Sequence, residues 1–145
     1  MEDEKLLARS HLQVQTDLQS LEEILAWFEK ITAPFLASDL MYRCQIAITE
    51  GFTNVVRHAH RELSETTPID IEVTIFSNCI EMQIWDAGKP FDLEKTLHLI
   101  REQHLAPLEQ EGGRGLMFMS KLTDELTYRR VGNSRNCLTL RKRFS

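Results

Sequence analysis

From Ile69 to Phe76 apolar and polar residues alternate almost without a break, Ser77 and Asn78 follow, and a second alternating run extends from Ile80 to Trp85. Side chains on a strand point to opposite faces in turn, so this period of two predicts two half-buried antiparallel strands joined by a tight turn. A lone hairpin is marginal in water and must cover its apolar face with something else. The rest of the chain supplies that cover. Leu18, Leu21, Ile24, Leu25 and Phe28 recur at helical spacing, which predicts an amphipathic helix over 17–31, capped by Thr16 or Asp17 and closed by Pro34.

A second helix is expected from Ser38, as its cap, to about His60, with Met41, Ile46, Ile48, Phe52, Val55 and Val56 on more than one side. Leu12 and Val14 mark a short first strand. A helical patch lies around 93–100, and Gly112, Gly113 and Gly115 run straight into a short helix. Two last strands, about 125–131 and 136–144, are joined through Gly132, Asn133 and Ser134. Strands paired as hairpins, with helices gathered on one face, predict an α+β fold: a two-layer sandwich with a mixed, mostly antiparallel sheet.

The chain has 145 residues, 42% of them hydrophobic and 27% charged, which suits one globular domain over 1–145. A formal charge of -5 gives no pull toward a phosphodiester backbone, so no direct nucleic-acid partner is expected. No apolar run is long enough to span a bilayer, and the charged first ten residues do not resemble a secretory signal. A cytoplasmic location without membrane contact is expected. Cys44, Cys79 and Cys137 form no paired motif and read as buried, reduced thiols.

Three short motifs carry chemistry. Glu50, Asn54 and His58 are four apart on the second helix and share a polar stripe. A carboxylate and a carboxamide on an otherwise apolar helix need a partner, and hydrated Mg²⁺, which takes oxygen ligands beside phosphates, is a suitable one. Asp86 stands at a predicted strand end with Gly88 two residues on, followed by Pro90 and Phe91. A strand-end carboxylate on a tight turn can accept a hydrogen bond from an exocyclic amine such as that of adenine. Gly113, Arg114, Gly115 and Leu116 form a glycine loop opening a helix, where backbone N–H groups, the helix N-terminus and a guanidinium suit phosphate. Each motif alone is commonplace: polar residues four apart decorate many helices, and Asp-x-Gly makes many turns.

In this order, the three resemble the N box and two glycine boxes of the GHKL superfamily, the Bergerat-fold ATPases, and most closely the anti-sigma-factor serine kinase branch. The resemblance implies ATP and Mg²⁺ as cofactors, and an ATP lid at about 92–111. It implies that Asn54 coordinates Mg²⁺ and that Glu50 is the general base for an attacking serine. Asp86 would read the adenine amine and Gly88 would let the base sit close. Phe91, Gly112, Gly113, Arg114, Gly115 and Leu116 would also contact nucleotide, and Thr139 would help hold the adenine through water. The implied partners are a STAS-type anti-anti-sigma protein and a sigma factor, and the implied assembly is a homodimer. A nucleotide-sensing module that captures a partner without phosphorylating it would need the same residues except Glu50 as base. The chain departs from the branch at His60, where relatives have an aromatic residue, and at Glu111. His58 and His60 read as capping or solvated residues at a helix end.

Overall fold

The computed structural model describes residues 4–102 and 113–144. The order is β1 (Leu6–Gln15), α1 (Ser20–Thr32), α2 (Ser38–Asn54) with a π-helical continuation (Val55–Ala59), β2 (Pro68–Phe76) and β3 (Cys79–Asp86). Then follow α3 (Leu93–Glu102), α4 (Gly113–Leu122), β4 (Glu125–Val131) and β5 (Arg135–Arg143). The strands form one sheet in the order β1-β2-β3-β5-β4. Each of the four pairings is antiparallel, so the mostly antiparallel sheet expected from the hairpins contains no parallel pair among the described residues.

Alternation decides which side chains enter the core. Ile69, Ile71, Val73 and Ile75 on β2, Ile80, Met82 and Ile84 on β3, and Leu138 and Leu140 on β5 lie on the covered face. They pack with Ile24 and Phe28 of α1, Cys44, Ala47, Ile48 and Phe52 of α2, and Leu116 and Met119 of α4. The other face is more polar. There Trp85 lies half-buried under two guanidinium groups, with Arg135 4.6 Å and Arg129 5.3 Å from its ring centre. All three cysteines are buried and unpaired, and burial pushes the Cys44 thiol up to about 12.

Helix starts differ from expectation. Thr16 and Asp17 do not cap α1: Asp17 Oδ1 accepts from the Gln19 amide in a turn, and Thr16 turns inward. Gln19 and Ala37 occupy the two cap positions without side-chain bonds, so Ser38 is the first helical residue rather than the cap. Ile46, counted on the buried side of α2, is 49% exposed. The expected lid falls partly on α3, whose first turn is held by Asp92 Oδ1 accepting from the Lys95 amide, and partly on 103–112, outside the described residues. Among the described residues no helix is long and apolar enough to cross a membrane.

Gly51 sets how close α2 lies to the sheet, because a Cβ there would sit 2.4 Å from Ile84 Cδ1 and 3.4 Å from Met119 Sδ. Phe52, beside it, is fully buried. Phe52→Ala should lower unfolding free energy by about 3–5 kcal/mol. Urea denaturation checks this, and a loss below about 1 kcal/mol would show that the helix layer is not packed as described.

Candidate functional site

The polar stripe on α2 ends in a change of helix type. Beyond Asn54 the chain forms one π-helical turn, in which the His60 amide donates to the Val55 carbonyl at 2.7 Å. Such turns insert one residue into the helical repeat and are frequent at functional sites. Here Asn54, Val55, His58 and Ala59 all line one wall of a cavity of about 340 Å³. Asp86 at the end of β3, Leu116 of α4, Leu138 of β5 and the Phe91–Tyr128 pair, with Gly51, Lys89 and Thr96, complete it. That volume lies within the range of small-molecule sites.

Asp86 is only 6% exposed, and an ionised carboxylate so placed needs donors. Its Oδ1 accepts from the Gly88 amide at 2.8 Å and from Asn136 Nδ2 at 2.9 Å. Asn136 is the register partner of Asp86 on β5 and also donates to the Gly88 carbonyl at 2.9 Å. Arg130 on β4 donates to Asn136 Oδ1 and the Gly88 carbonyl, each at 3.1 Å, and to the Asn133 carbonyl. Among the described residues Oδ2 of Asp86 has no partner and is not sealed from solvent, which leaves one acceptor for a ligand in the cavity that Asp86 lines. Gly88 packs so tightly that a Cβ would sit 2.3 Å from the Ala59 carbonyl oxygen.

Glu50 and Asn54 face the start of α4. A Cβ on Gly115 would lie 2.9 Å from Asn54 Oδ1 and 3.1 Å from Glu50 Oε1. Both side chains lack a hydrogen-bonding or charged partner among the described residues. They present uncommitted oxygens beside a helix N-terminus, which attracts anions. The Asn54 oxygen suits Mg²⁺, a cation usually held by one or two protein ligands with waters and phosphates filling the rest, and the Glu50 carboxylate beside it is left to accept a proton.

Of the residues singled out in the sequence, Asn54, Asp86, Phe91 and Leu116 line this cavity, Glu50 and Gly115 adjoin Asn54, and Gly88 shapes the turn beneath Asp86. Gly113 and Arg114 form the first turn of α4, while Gly112 and Glu111 lie outside the described residues. Thr139 is not in the site. It pairs with Gln83 across the opposite face of the sheet, accepting from Gln83 Nε2 at 3.4 Å, and its neighbour Leu138 faces the cavity instead. A one-residue offset on a strand exchanges the faces.

Asn136, Tyr128 and His60 went unnoticed in the sequence or were misplaced by it. Asn136 follows turn residues and looks like one of them. Burial pushes the Tyr128 hydroxyl up to about 12, with Asp86 adding to the effect and a backbone hydrogen bond with Phe91 opposing it. His60 is neither a cap nor solvated: it is 1% exposed, with Nδ1 2.8 Å from Thr16 Oγ1 and Nε2 accepting from the Ala87 amide at 2.8 Å.

A family model described as the histidine kinase-like ATPase domain matches residues 14–142. The chain belongs to that family. A serine-protein kinase RsbW of Staphylococcus epidermidis is 36% identical over 91 residues, covering 57% of this chain and 54% of the relative. Kinases of the same name from Bacillus licheniformis (32% over 85 residues) and Oceanobacillus iheyensis (36% over 85 residues) each match 57% of this chain and 53% of their own. The matched stretch thus spans about half the length of these relatives. The family shown is the one the N box and glycine boxes resemble.

Two outcomes follow for the site. Gly115→Ala would force the Asn54 carboxamide aside while leaving the core intact, so nucleotide affinity should fall about tenfold or more with little change in melting temperature. Gly88→Ala meets backbone instead of a side-chain tip and should cost about 1–3 kcal/mol of stability. Binding titrations and urea denaturation on both variants separate the two. His58 and His60 both protonate below the ordinary imidazole value. Burial is the main cause for each, joined at His58 by Arg61 and Arg57 and opposed at His60 by Asp86. Below a pH of about 6.5 the unfolded chain therefore takes up protons that the folded one refuses. Stability should be fully present above that pH and decline as pH falls toward the folded-state values. A urea midpoint no lower at pH 5.5 than at pH 7.5 would contradict this.

Proposed function

We propose that this protein is an ATP-dependent serine protein kinase that also acts as an antagonist of a sigma factor, with a STAS-type anti-anti-sigma protein as its substrate. The observation that carries the reading is the meeting of Asn54, Asp86 and Leu116 around one cavity, with Glu50 one helical turn from Asn54 and both against Gly115. The relatives named serine-protein kinase support the choice of acceptor, and the implied homodimer belongs to the same proposal.

Asp86 Oδ2 accepts a hydrogen bond from the adenine amine, and the Phe91–Tyr128 pair, with ring centres 4.6 Å apart, offers the base an apolar wall. Gly113, Arg114 and Gly115 at the start of α4 hold the phosphates through backbone N–H groups, helix polarity and the guanidinium. Asn54 would hold Mg²⁺, which would neutralise charge on the phosphates. Glu50 takes the proton of the substrate serine as its oxygen bonds to the γ-phosphorus and the bond from that phosphorus to ADP breaks. Most of the rate enhancement comes from positioning and charge stabilisation.

The test uses Mg-ATP and a STAS-type partner. Phosphoserine should appear on the partner, and Glu50→Gln should reduce its rate by about 10²–10⁴-fold while nucleotide affinity stays within a few-fold. Asp86→Asn, which turns an acceptor oxygen into a donor, should instead weaken ATP binding about tenfold or more. A nucleotide-dependent complex without phosphoserine would replace the kinase by the nucleotide-sensing binding module. In a thermal shift, Mg-ATP at a hundred times its dissociation constant should add about 2.7 kcal/mol of apparent stability.

A further inference from the structure

The turn that presents Asp86 to the cavity runs through Ala87 and Gly88, and three of its backbone groups are held by different partners. The Gly88 amide is taken by Asp86 itself, and the Gly88 carbonyl by Asn136 and Arg130. The Ala87 amide is taken by His60. That last bond has a direction with consequences. A backbone N–H can only donate, so His60 Nε2 must be the bare nitrogen, and the proton of the neutral ring sits on Nδ1. Nδ1–H then donates to Thr16 Oγ1 at 2.8 Å, and the Thr16 hydroxyl donates onward to the Thr67 carbonyl at 2.7 Å. The relay runs from the Ala87 amide through the ring to the end of β1 and the approach to β2, and every donor in it has an acceptor.

Resting on the nucleotide reading above, we propose that His60 is a positioning residue for the nucleotide base: it holds the Ala87 amide, and with it the aim of Asp86, only while the ring is neutral. A proton on Nε2 would set two donors against each other at 2.8 Å, and the turn would have to move. Burial holds the ring below its usual value, so neutrality is the normal state near pH 7. The charged group acting on the ring is Asp86 on β3, which favours the protonated form. From the β1 end it meets Thr16, whose hydroxyl bonds the Thr67 carbonyl at the approach to β2, and neither group titrates in this range. The neighbouring Arg57 and Arg61 act on His58. The device follows from this chain's own residue choice, since an aromatic side chain at position 60 would offer the Ala87 amide no ring nitrogen.

The experiment measures the dissociation constant of Mg-ATP from pH 7.5 to 5.0 in the unaltered protein and in His60→Gln. A carboxamide oxygen can accept the Ala87 amide but does not titrate. His58 and the ATP phosphates change protonation in both proteins alike, so the ratio between the two curves isolates His60. Affinity should be within a few-fold at pH 7.5, and at pH 5.0 the unaltered protein should bind roughly tenfold more weakly relative to His60→Gln. Circular dichroism at each pH confirms that both remain folded. A second measurement does not depend on the variant: nitrogen NMR of the unaltered protein should show the Nδ1–H tautomer at pH 7.5, and the Ala87 amide should follow the same titration curve as the His60 ring. Parallel affinity curves in the two proteins, or an Nε2–H tautomer, would overturn the inference while leaving the nucleotide site standing. Absence of nucleotide binding at every pH would remove that site and the inference together.

Discussion

A carboxylate buried at the end of a central strand is the constraint around which the rest of this structure is arranged. A carboxylate so enclosed needs hydrogen-bond donors, and the donors must come from groups that are themselves fixed. Asn136 is fixed by the pairing of β3 with β5, and Gly88 by a turn so close to the end of α2 that no side chain fits at its Cα. The sheet register, the π-helical turn and the absence of a Cβ at position 88 are therefore one interlocked device. Its product is a single acceptor oxygen left for a ligand.

The opposite end of the cavity is organised by a complementary rule. Glu50 and Asn54 are half-exposed oxygen bearers with no partner among the described residues, and Gly115 brings the start of α4 against them. An acceptor at one end, and uncommitted oxygens with a helix N-terminus at the other, match a molecule with an amine-bearing base and a phosphate tail. Between them the wall is largely apolar, formed by Val55, Leu116, Leu138 and the Phe91–Tyr128 pair, with His58, Lys89 and Thr96 as its polar members. A few placed polar groups in an apolar lining can specify orientation. Gly51 makes the cavity possible from below by letting α2 settle onto Ile84 and Met119.

How much of this was legible in the amino-acid sequence follows from the range of each interaction. Hairpins 69–85 and 125–144 could be read because strand period and turn residues are local, and Glu50, Asn54 and Asp86 because their spacing and context are local too. Thr139 was misplaced because the resemblance assigned it by motif position, whereas the alternation of Leu138, Thr139 and Leu140, with Thr139 paired to Gln83, puts it on the face away from the helices. Asn136 is a lone polar residue next to a turn, and only its register partner Asp86 reveals its use. His60 resembled an ordinary helix end because the π-helical turn that carries it inward is invisible in an apolar periodicity.

The most direct measurement of the central claim is a map of backbone amide shifts on adding Mg-ATP to isotopically labelled protein. One pocket spanning the strand-end turn and the glycine helix predicts that the largest changes fall together on Gly51, Asn54, Ala87, Gly88, Gly115 and Leu116, while Gln83 and Thr139 on the far face stay still. Changes concentrated on the far face, or at only one end of the cavity, would contradict it.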